Sequence, residues 1–92
     1  MSTARYRAFA AVAHHGSLSA AARALDLSQP TISNQISTLE RQSRIELFHR
    51  RGYRMTLTGA GSKLLAIAQK LLALESEAEY LLRDSGQLHQ VV

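Results

Sequence analysis

Cysteine and tryptophan are absent from the 92-residue chain, and only one proline and five glycines interrupt it. The absence of cysteine excludes disulfide bonds, thiolate metal sites and cysteine nucleophiles, and it suits a reducing cytosol. Because proline and glycine most disfavour helix interiors, their scarcity favours a helical fold. A chain of this length buries one small core, which leaves too little room for a Rossmann pair, a barrel or a deep closed pocket.

Long apolar runs are also missing. No stretch approaches the roughly 20 apolar residues that a membrane-spanning helix needs. The apolar stretch from Ala8 to Ala13 follows two arginines, as in a signal peptide, but it is shorter than the about 7–15 residues that such peptides use. The sequence therefore predicts neither a membrane segment nor a secretory signal.

Acidic residues are scarce only in the first part of the chain. The net charge is +4 and the sequence pI is about 10.1, which favours an anionic partner. Residues 1–63 hold nine Lys or Arg and three Asp or Glu, whereas residues 64–92 hold two and four. The tightest basic cluster contains Arg41, Arg44, Arg50, Arg51 and Arg54. This segregation predicts a basic binding surface followed by a separate, more acidic segment.

Three amphipathic helices are expected in the first half of the chain. Apolar residues at helical spacing predict the first over residues 3–15, with Gly16 as its stop. A short, alanine-rich helix follows, and either Ser17 or Ser19 can cap it. The third helix, over about residues 29–42, is predicted to start from the N-cap Ser28 with Pro30 in its first turn. Two short helices joined by a tight turn make a helix-turn-helix.

The outer face of the third helix carries hydroxyl and amide side chains where a solvated helix would carry Glu and Lys. Ser, Thr and Asn cost stability inside a helix, which indicates that a second requirement placed them there. A helix fits the major groove of DNA, where Gln and Asn pair with adenine and hydroxyls donate or accept. In isolation, the same face is equally compatible with plain solvation. The candidate DNA contacts on this helix are Ser28, Gln29, Pro30, Thr31, Ser33 and Asn34.

Over residues 46–57 the spacing of apolar residues changes from a helical pattern to alternation, which predicts a two-stranded hairpin. Alternation around Met55 is typical of a half-buried strand, and the basic turn His49-Arg50-Arg51-Gly52 is expected between the strands. We expect the arginines at the tip, where they can follow a phosphate backbone or enter a narrow minor groove. An arginine cluster alone is more often just a charged surface. The candidate DNA contacts of this hairpin are Arg50, Arg51 and Arg54.

A long helix is expected over residues 59–84, with Thr58 as its cap. Apolar residues at alternating spacings of three and four form a heptad seam, the pattern of helices that pair. The rest of the chain is too small to cover this helix, so another chain is expected to cover part of it. The predicted dimer interface consists of Leu64, Ile67, Leu71, Leu74, Ala78 and Leu81.

No catalytic or metal-binding constellation stands out. His14 and His15 are neighbours on a helix and do not converge on one metal as histidines four residues apart would. The segment Gly59-Ala60-Gly61 is no phosphate loop, because no Lys-Ser/Thr follows at the required spacing. The sequence therefore predicts no enzyme, no catalytic residue, no metal and no cofactor. The main alternative to DNA binding is a coiled-coil dimerisation or adaptor module that does not read DNA.

Several short motifs resemble, in order and spacing, the signature of LysR-type transcriptional regulators. The resemblance spans about residues 3–84. The motifs are Ala21-Ala22-Arg23-Ala24-Leu25-Asp26-Leu27-Ser28-Gln29-Pro30-Thr31-Ile32-Ser33-Asn34-Gln35-Ile36, then Leu39-Glu40, Leu47-Phe48-His49-Arg50 and Leu57-Thr58-Gly59-Ala60-Gly61.

The resemblance implies a mainly α, winged helix-turn-helix fold with a small two-stranded β wing and a long C-terminal linker helix that pairs antiparallel with its twin. It implies a bacterial, cytoplasmic and nucleoid-associated regulator of transcription. Such a protein binds an interrupted palindrome in double-stranded DNA as a homodimer, or as a tetramer when the chain is full-length, and RNA polymerase is a further candidate partner. By position, Gln29, Pro30, Ser33 and Asn34 match the groove-facing residues of the family, and residues 50–54 match its wing.

Three features depart from the family pattern. Family members often have arginine where Asn34 stands, so this position is expected to favour adenine. They often have arginine or lysine at the position of Tyr53, so a minor-groove role would either pass to Arg51 or Arg54 or be lost. They also carry a C-terminal effector-binding domain. The expected organisation here is a DNA-binding domain over residues 1–58, a linker helix over 59–84 and a tail over 85–92, with no effector-binding domain and no small-molecule site.

Overall fold

A computed structural model describes the backbone of residues 3–91 and the side chains of residues 3–84. The elements in chain order are α1 (Ala4–His15), α2 (Leu18–Leu25), α3 (Gln29–Ser43), β1 (Phe48–Arg51), β2 (Arg54–Leu57) and α4 (Gly59–Val91). The prediction of a mainly α, winged helix-turn-helix fold with a two-stranded wing and a long C-terminal helix is confirmed.

Serine caps set where the two helices of the helix-turn-helix begin. Ser17, rather than Ser19, caps α2, and its hydroxyl accepts a hydrogen bond from a backbone N–H three residues later at 3.1 Å. Ser28 caps α3 in the same way, through the Thr31 N–H at 3.2 Å. Each cap satisfies an N–H group that has no partner inside its own helix, so a short stretch of sequence is enough to determine it.

The inward faces of α1 and α3 meet against the wing. Phe9 and Val12 of α1 and Ile32 and Ile36 of α3 are fully buried. The ring of Phe9 lies 5.3 Å from that of Phe48 in β1, at an interplanar angle of 55°, and this contact joins the helices to the wing. Burying side chains of this size stabilises the fold by about 1.5–3 kcal/mol each. These anchors fix the rotation of α3 and leave its opposite face to solvent.

The wing is a tight hairpin. Its antiparallel pairing runs from Phe48–Leu57 at the base to Arg51–Arg54 at the end. The expected turn His49-Arg50-Arg51-Gly52 is wrong in its extent, because all but the glycine lie in β1. Gly52 has a φ of 57° and makes the turn with Tyr53 alone. Pairing therefore continues up to the turn, since a glycine at positive φ suits a two-residue hairpin loop.

One backbone hydrogen bond attaches the wing to the end of α1, and a second closes the base of the hairpin. The Met55 N–H donates to the carbonyl of Gly16, at the end of α1, at 2.8 Å. The Thr58 N–H donates to the carbonyl of Leu47 at 3.0 Å and closes the base of the hairpin. The wing is thereby held through β2 to the end of α1.

The last helix is longer than predicted. It begins at the expected cap, where the Thr58 hydroxyl accepts from the Gly61 N–H at 3.0 Å. The predicted end near residue 84 and the unpatterned tail are wrong for residues 85–91, because α4 continues to Val91. Gly86 costs about 1 kcal/mol relative to alanine but keeps its backbone N–H, so it does not break a helix of this length. Met1, Ser2 and Val92 lie outside the described residues.

None of the described helices is long and apolar enough to cross a membrane.

Candidate nucleic-acid interface

The outer face of α3 presents hydrogen-bonding groups to solvent. Gln29, Pro30, Thr31 and Asn34 are exposed and Ser33 is half-buried. All of these except Thr31 line one shallow depression on the surface. Because the inward side of α3 is locked by fully buried isoleucines, this face keeps a fixed orientation. It therefore presents a rigid, uncharged pattern of donors and acceptors.

The predicted α3 contacts divide into two chemical groups. The hydroxyls of Ser28 and Thr31 lie 2.7 Å apart and share a hydrogen bond, so both take part in the helix cap. Among the described residues, the side-chain amides of Gln29 and Asn34 form no hydrogen bond with protein atoms. These two amides are consequently available to pair with an external ligand.

The wing stands beside the start of α3. One cleft is lined by α2, α3 and wing residues together, namely Ser17, Leu18, Ser19, Gln29, Arg50, Gly52, Tyr53 and Met55. The predicted α3 contacts and the predicted wing contacts are thus on the same side of the molecule. Tyr53 at the tip of the wing is 93% exposed and carries no charge, which leaves the positive charge of the wing to its arginines.

The three wing arginines differ in their surroundings. Arg50 forms an ion pair with Glu40 of α3, at 3.2 Å between Nη2 and Oε1. The other carboxylate oxygen of Glu40 accepts from the Leu47 N–H at 2.9 Å. Arg51 and Arg54 are exposed, and they take part in none of the ion pairs found among the described residues.

No local sequence pattern predicts a role for Glu40. The residue lies within the motif Leu39-Glu40, but its spacing from Leu47 and Arg50 matches no local pattern. Its contacts form only because the end of α3 folds back against β1. Glu40 therefore joins the end of α3 to the wing and holds Arg50 at the same time.

Beside the predicted seam, α4 carries a second apolar stripe that includes Leu65, Ala68 and Leu72, and the structure places the two stripes in different environments. Ala68 is fully buried, and Leu65 and Leu72 are half-buried on the domain side. On the predicted seam, Ile67, Leu71, Leu74 and Leu81 are 62%, 37%, 64% and 62% exposed, and Ala78 is exposed as well. Leu64 differs from the other seam residues, because it is half-buried and packs against the core.

The middle of α4 is tied to α1 by one polar cluster. The Glu75 carboxylate pairs with Arg7 at 3.0 Å and accepts a hydrogen bond from the Thr3 hydroxyl. Beyond Glu75, the described side chains of α4 from residue 76 to 84 are all exposed. The first half of the helix therefore belongs to the winged domain, and the second half projects away from it.

The model of the family described as "Bacterial regulatory helix-turn-helix protein, lysR family" matches residues 3–62. The HTH-type transcriptional regulator YofA of Bacillus velezensis is 41% identical over 86 residues, which are 94% of this chain and 30% of that protein. The chain thus spans less than two thirds of the length of this relative.

Solved structures resemble the chain over nearly its whole length. In a crystal structure of the CbnR DNA-binding domain with DNA, the TM-score is 0.83 and the identity 32%, covering 94% of this chain and 99% of that one. In a complex of the BenM DNA-binding domain with benA site 1 DNA, the TM-score is 0.82 and the identity 30%, covering 90% of this chain and 96% of that one. Both similar proteins are seen bound to DNA.

Proposed function

The chain belongs to the lysR family of bacterial regulatory helix-turn-helix proteins, and on that premise we propose that it binds double-stranded DNA sequence-specifically to regulate transcription. The proposal rests mainly on one observation: the outer face of α3 exposes amide and hydroxyl groups beside a wing that carries arginines. The DNA complexes of the similar CbnR and BenM domains support the proposal. The alternative, an adaptor that does not read DNA, does not explain why amide and hydroxyl side chains occupy this exposed face.

The start of α3 enters the major groove. Gln29 and Asn34 carry the free amides, and each can pair with the adjacent donor and acceptor of adenine. Pro30 and Ser33 lie between them on the same depression and supply apolar and hydroxyl contacts to base edges. Ser28 and Thr31, whose hydroxyls are already engaged in the cap, mark the N-terminal end of α3, where the N–H of Gln29 favours a phosphate oxygen.

The wing contacts the sugar-phosphate backbone or the minor groove. Arg51 and Arg54 supply charge there, because their guanidinium groups are exposed and unpaired within the described chain. Arg50 contacts DNA with the part of its side chain that Glu40 leaves accessible, 45% of it. Its stronger effect is on the position of the wing.

The DNA-reading unit is residues 1–58, and α4 pairs it with a second copy. The exposed seam at Ile67, Leu71, Leu74, Ala78 and Leu81 forms the homodimer interface, and Leu64 contributes at its edge. Two copies of α3 at a fixed separation match an interrupted palindrome. Acting at promoters in the bacterial nucleoid, such a dimer meets RNA polymerase, which is a further proposed partner.

A DNA-binding titration across salt concentrations tests the function. After selection of preferred sites from random DNA, log Kobs plotted against log salt concentration is expected to be linear. The slope is expected to be negative and to become steeper by about 0.9 for each phosphate contact, because each contact releases counterions. A scrambled site of equal length is the control for specificity. A flat salt response, or equal affinity for the selected and scrambled sites, would favour the adaptor.

A further inference from the structure

The projecting half of α4 carries charge beside its exposed seam. Lys63, Lys70, Glu77 and Asp84 recur every seven residues, so they follow one another along one side of the helix with a drift of only about 20° per heptad. All four are exposed, and none takes part in the ion pairs found among the described residues. We call these four residues the charge strip.

The sign of the charge changes halfway along the strip. The two lysines lie in the half that packs on the winged domain, and the two acids lie in the half that projects from it. Within one helix these groups are about 10 Å apart along the axis, at 1.5 Å per residue, so neighbours do not pair. A second strip running in the opposite direction would instead face opposite charges throughout.

We infer that the charge strip sets the register in which α4 pairs, antiparallel, with α4 of a second copy. In this register Lys63 lies opposite the partner's Asp84, and Lys70 lies opposite the partner's Glu77. The two-fold axis repeats both contacts, so the dimer contains four complementary pairs. The inference rests on the proposed homodimer and adds which residues align it.

The apolar seam independently favours an alignment within two positions of this register, because one antiparallel arrangement places all six seam residues opposite one another. In an antiparallel coiled coil the two seam positions of a heptad face each other across the interface. The alignment that pairs Leu71 with the partner's Leu74 also pairs Leu64 with the partner's Leu81, and Ile67 with the partner's Ala78. All three pairs share one midpoint, between residues 72 and 73. In this alignment each residue of the charge strip is displaced by two residue positions from its opposite-sign partner on the other helix. The two side chains remain within reach of each other.

A parallel pairing does not use the charge strip. It brings the strip of one helix against the opposite flank of the seam, which holds Ala68, Glu75 and Leu82. Ala68 is fully buried in its own domain, and Glu75 is already bonded to Arg7 and Thr3. Leu82 offers no charge. Complementary charge is therefore available to the strip in the antiparallel register and not in the parallel one.

The decisive experiment uses two charge-reversed variants of the whole chain. Lys63→Glu/Lys70→Glu makes the strip acidic throughout, and Glu77→Lys/Asp84→Lys makes it basic throughout. Each variant alone is expected to dimerise at least tenfold more weakly than the unmodified chain in sedimentation equilibrium. An equimolar mixture is expected to regain dimers of the unmodified affinity, because only the mixed pair faces opposite charges.

The matched control is Gln69→Glu/Ser76→Glu, which adds acid at exposed positions away from the strip and the seam. It is expected to leave the dimerisation constant within twofold. Unchanged dimers of either charge-reversed variant, or a mixture that stays monomeric, would overturn the register. A monomeric unmodified chain would instead overturn the proposed dimer, so the two failures are distinguishable.

Disulfide trapping gives a second readout that does not depend on affinity. The chain has no cysteine, so Lys70→Cys/Glu77→Cys introduces the only thiols. Oxidation is expected to give a covalent dimer, because each new thiol faces its counterpart on the partner. Lys63→Cys/Lys70→Cys, whose thiols are not opposite one another in this register, is expected to stay uncrosslinked. The reverse result would overturn the alignment.

Discussion

Helices α3 and α4 each have one face against the core and one face in solvent, but their exposed faces differ in chemistry. The exposed face of α3 holds amides and hydroxyls, and that of α4 holds leucines and isoleucine flanked by charge. An exposed apolar seam is stabilised by a partner that excludes water, whereas an uncharged polar face suits a partner with fixed hydrogen-bonding groups. The two exposed faces therefore suit two different kinds of partner, in line with the two interfaces proposed above.

The largest effect is expected when charge is placed on the apolar interface. Leu71→Glu puts a carboxylate in the middle of the seam of both copies, and an unpaired charge there opposes burial. We expect dimerisation to weaken more than about 100-fold, or about 3 kcal/mol, by light scattering. Tyr80→Glu, exposed on the far side of α4, is the control. An unchanged mass for Leu71→Glu would remove the seam from the interface.

An effect of comparable size, on the stability of the fold, is expected where the start of α4 packs against the base of the wing. A Cβ at Gly61 would lie 2.2 Å from the carbonyl oxygen of Leu47 and 2.9 Å from Cδ2 of Leu57. Gly61→Ala therefore forces α4 away from the wing and is expected to destabilise the fold by about 2–3 kcal/mol in urea unfolding. A Cβ at Gly59 meets nothing within 4 Å, so Gly59→Ala is the matched control. Equal stability of the two variants would contradict this close packing.

A smaller, sequence-dependent effect is expected on the polar face of α3. Asn34→Ala removes a free amide and is expected to cost about 1–3 kcal/mol at one base-pair position of the selected site. Gln29→Ala is expected to act on a different position. Binding to a panel of single-base variants measures both. If every site weakened equally, direct readout by these amides would be wrong.

The smallest effect distinguishes the arginines of the wing. Arg51→Gln is expected to reduce the salt slope of DNA binding by about one unit, because it removes one phosphate contact. Arg50→Gln is expected to lower affinity with a smaller change of slope, since Glu40 already holds its charge. Hydrogen exchange of the Leu47 amide measures how Glu40 positions the wing. In Glu40→Ala this amide loses its acceptor, so its protection from exchange is expected to fall. Equal slopes for both arginine variants would give Arg50 the same role as Arg51.

Local patterns were sufficient for most of the fold. The caps Ser28 and Thr58, the stop at Gly16 and the apolar spacing of α3 depend on residues within one or two turns, and all were predicted correctly. The turn of the wing and the end of α4 were misplaced. In both cases a local signal containing a glycine was expected to interrupt the strand or the helix by itself. Strand pairing in the wing and the length of α4 instead decided where each element ends.

The candidate site was partly predictable for the same reason. The hydroxyl and amide face at Gln29 and Asn34 follows from helical periodicity, which is local, and so does the heptad seam. The division of α4 into a domain side and a free side was not predictable, because Ala68 and Ile67 are both apolar and adjacent. Only the position of α1 beside α4 decides which of the two is buried.

The order of amino acids alone determined where helices start, which residues share a helical face and where positive charge is concentrated, since each depends on neighbours along the chain. The tertiary structure decided that Glu40 holds Arg50 and the base of the wing, and that Gly61 must have no side chain. These contacts join residues from separate elements. Their existence depends on how the elements pack, and no spacing along the chain encodes it.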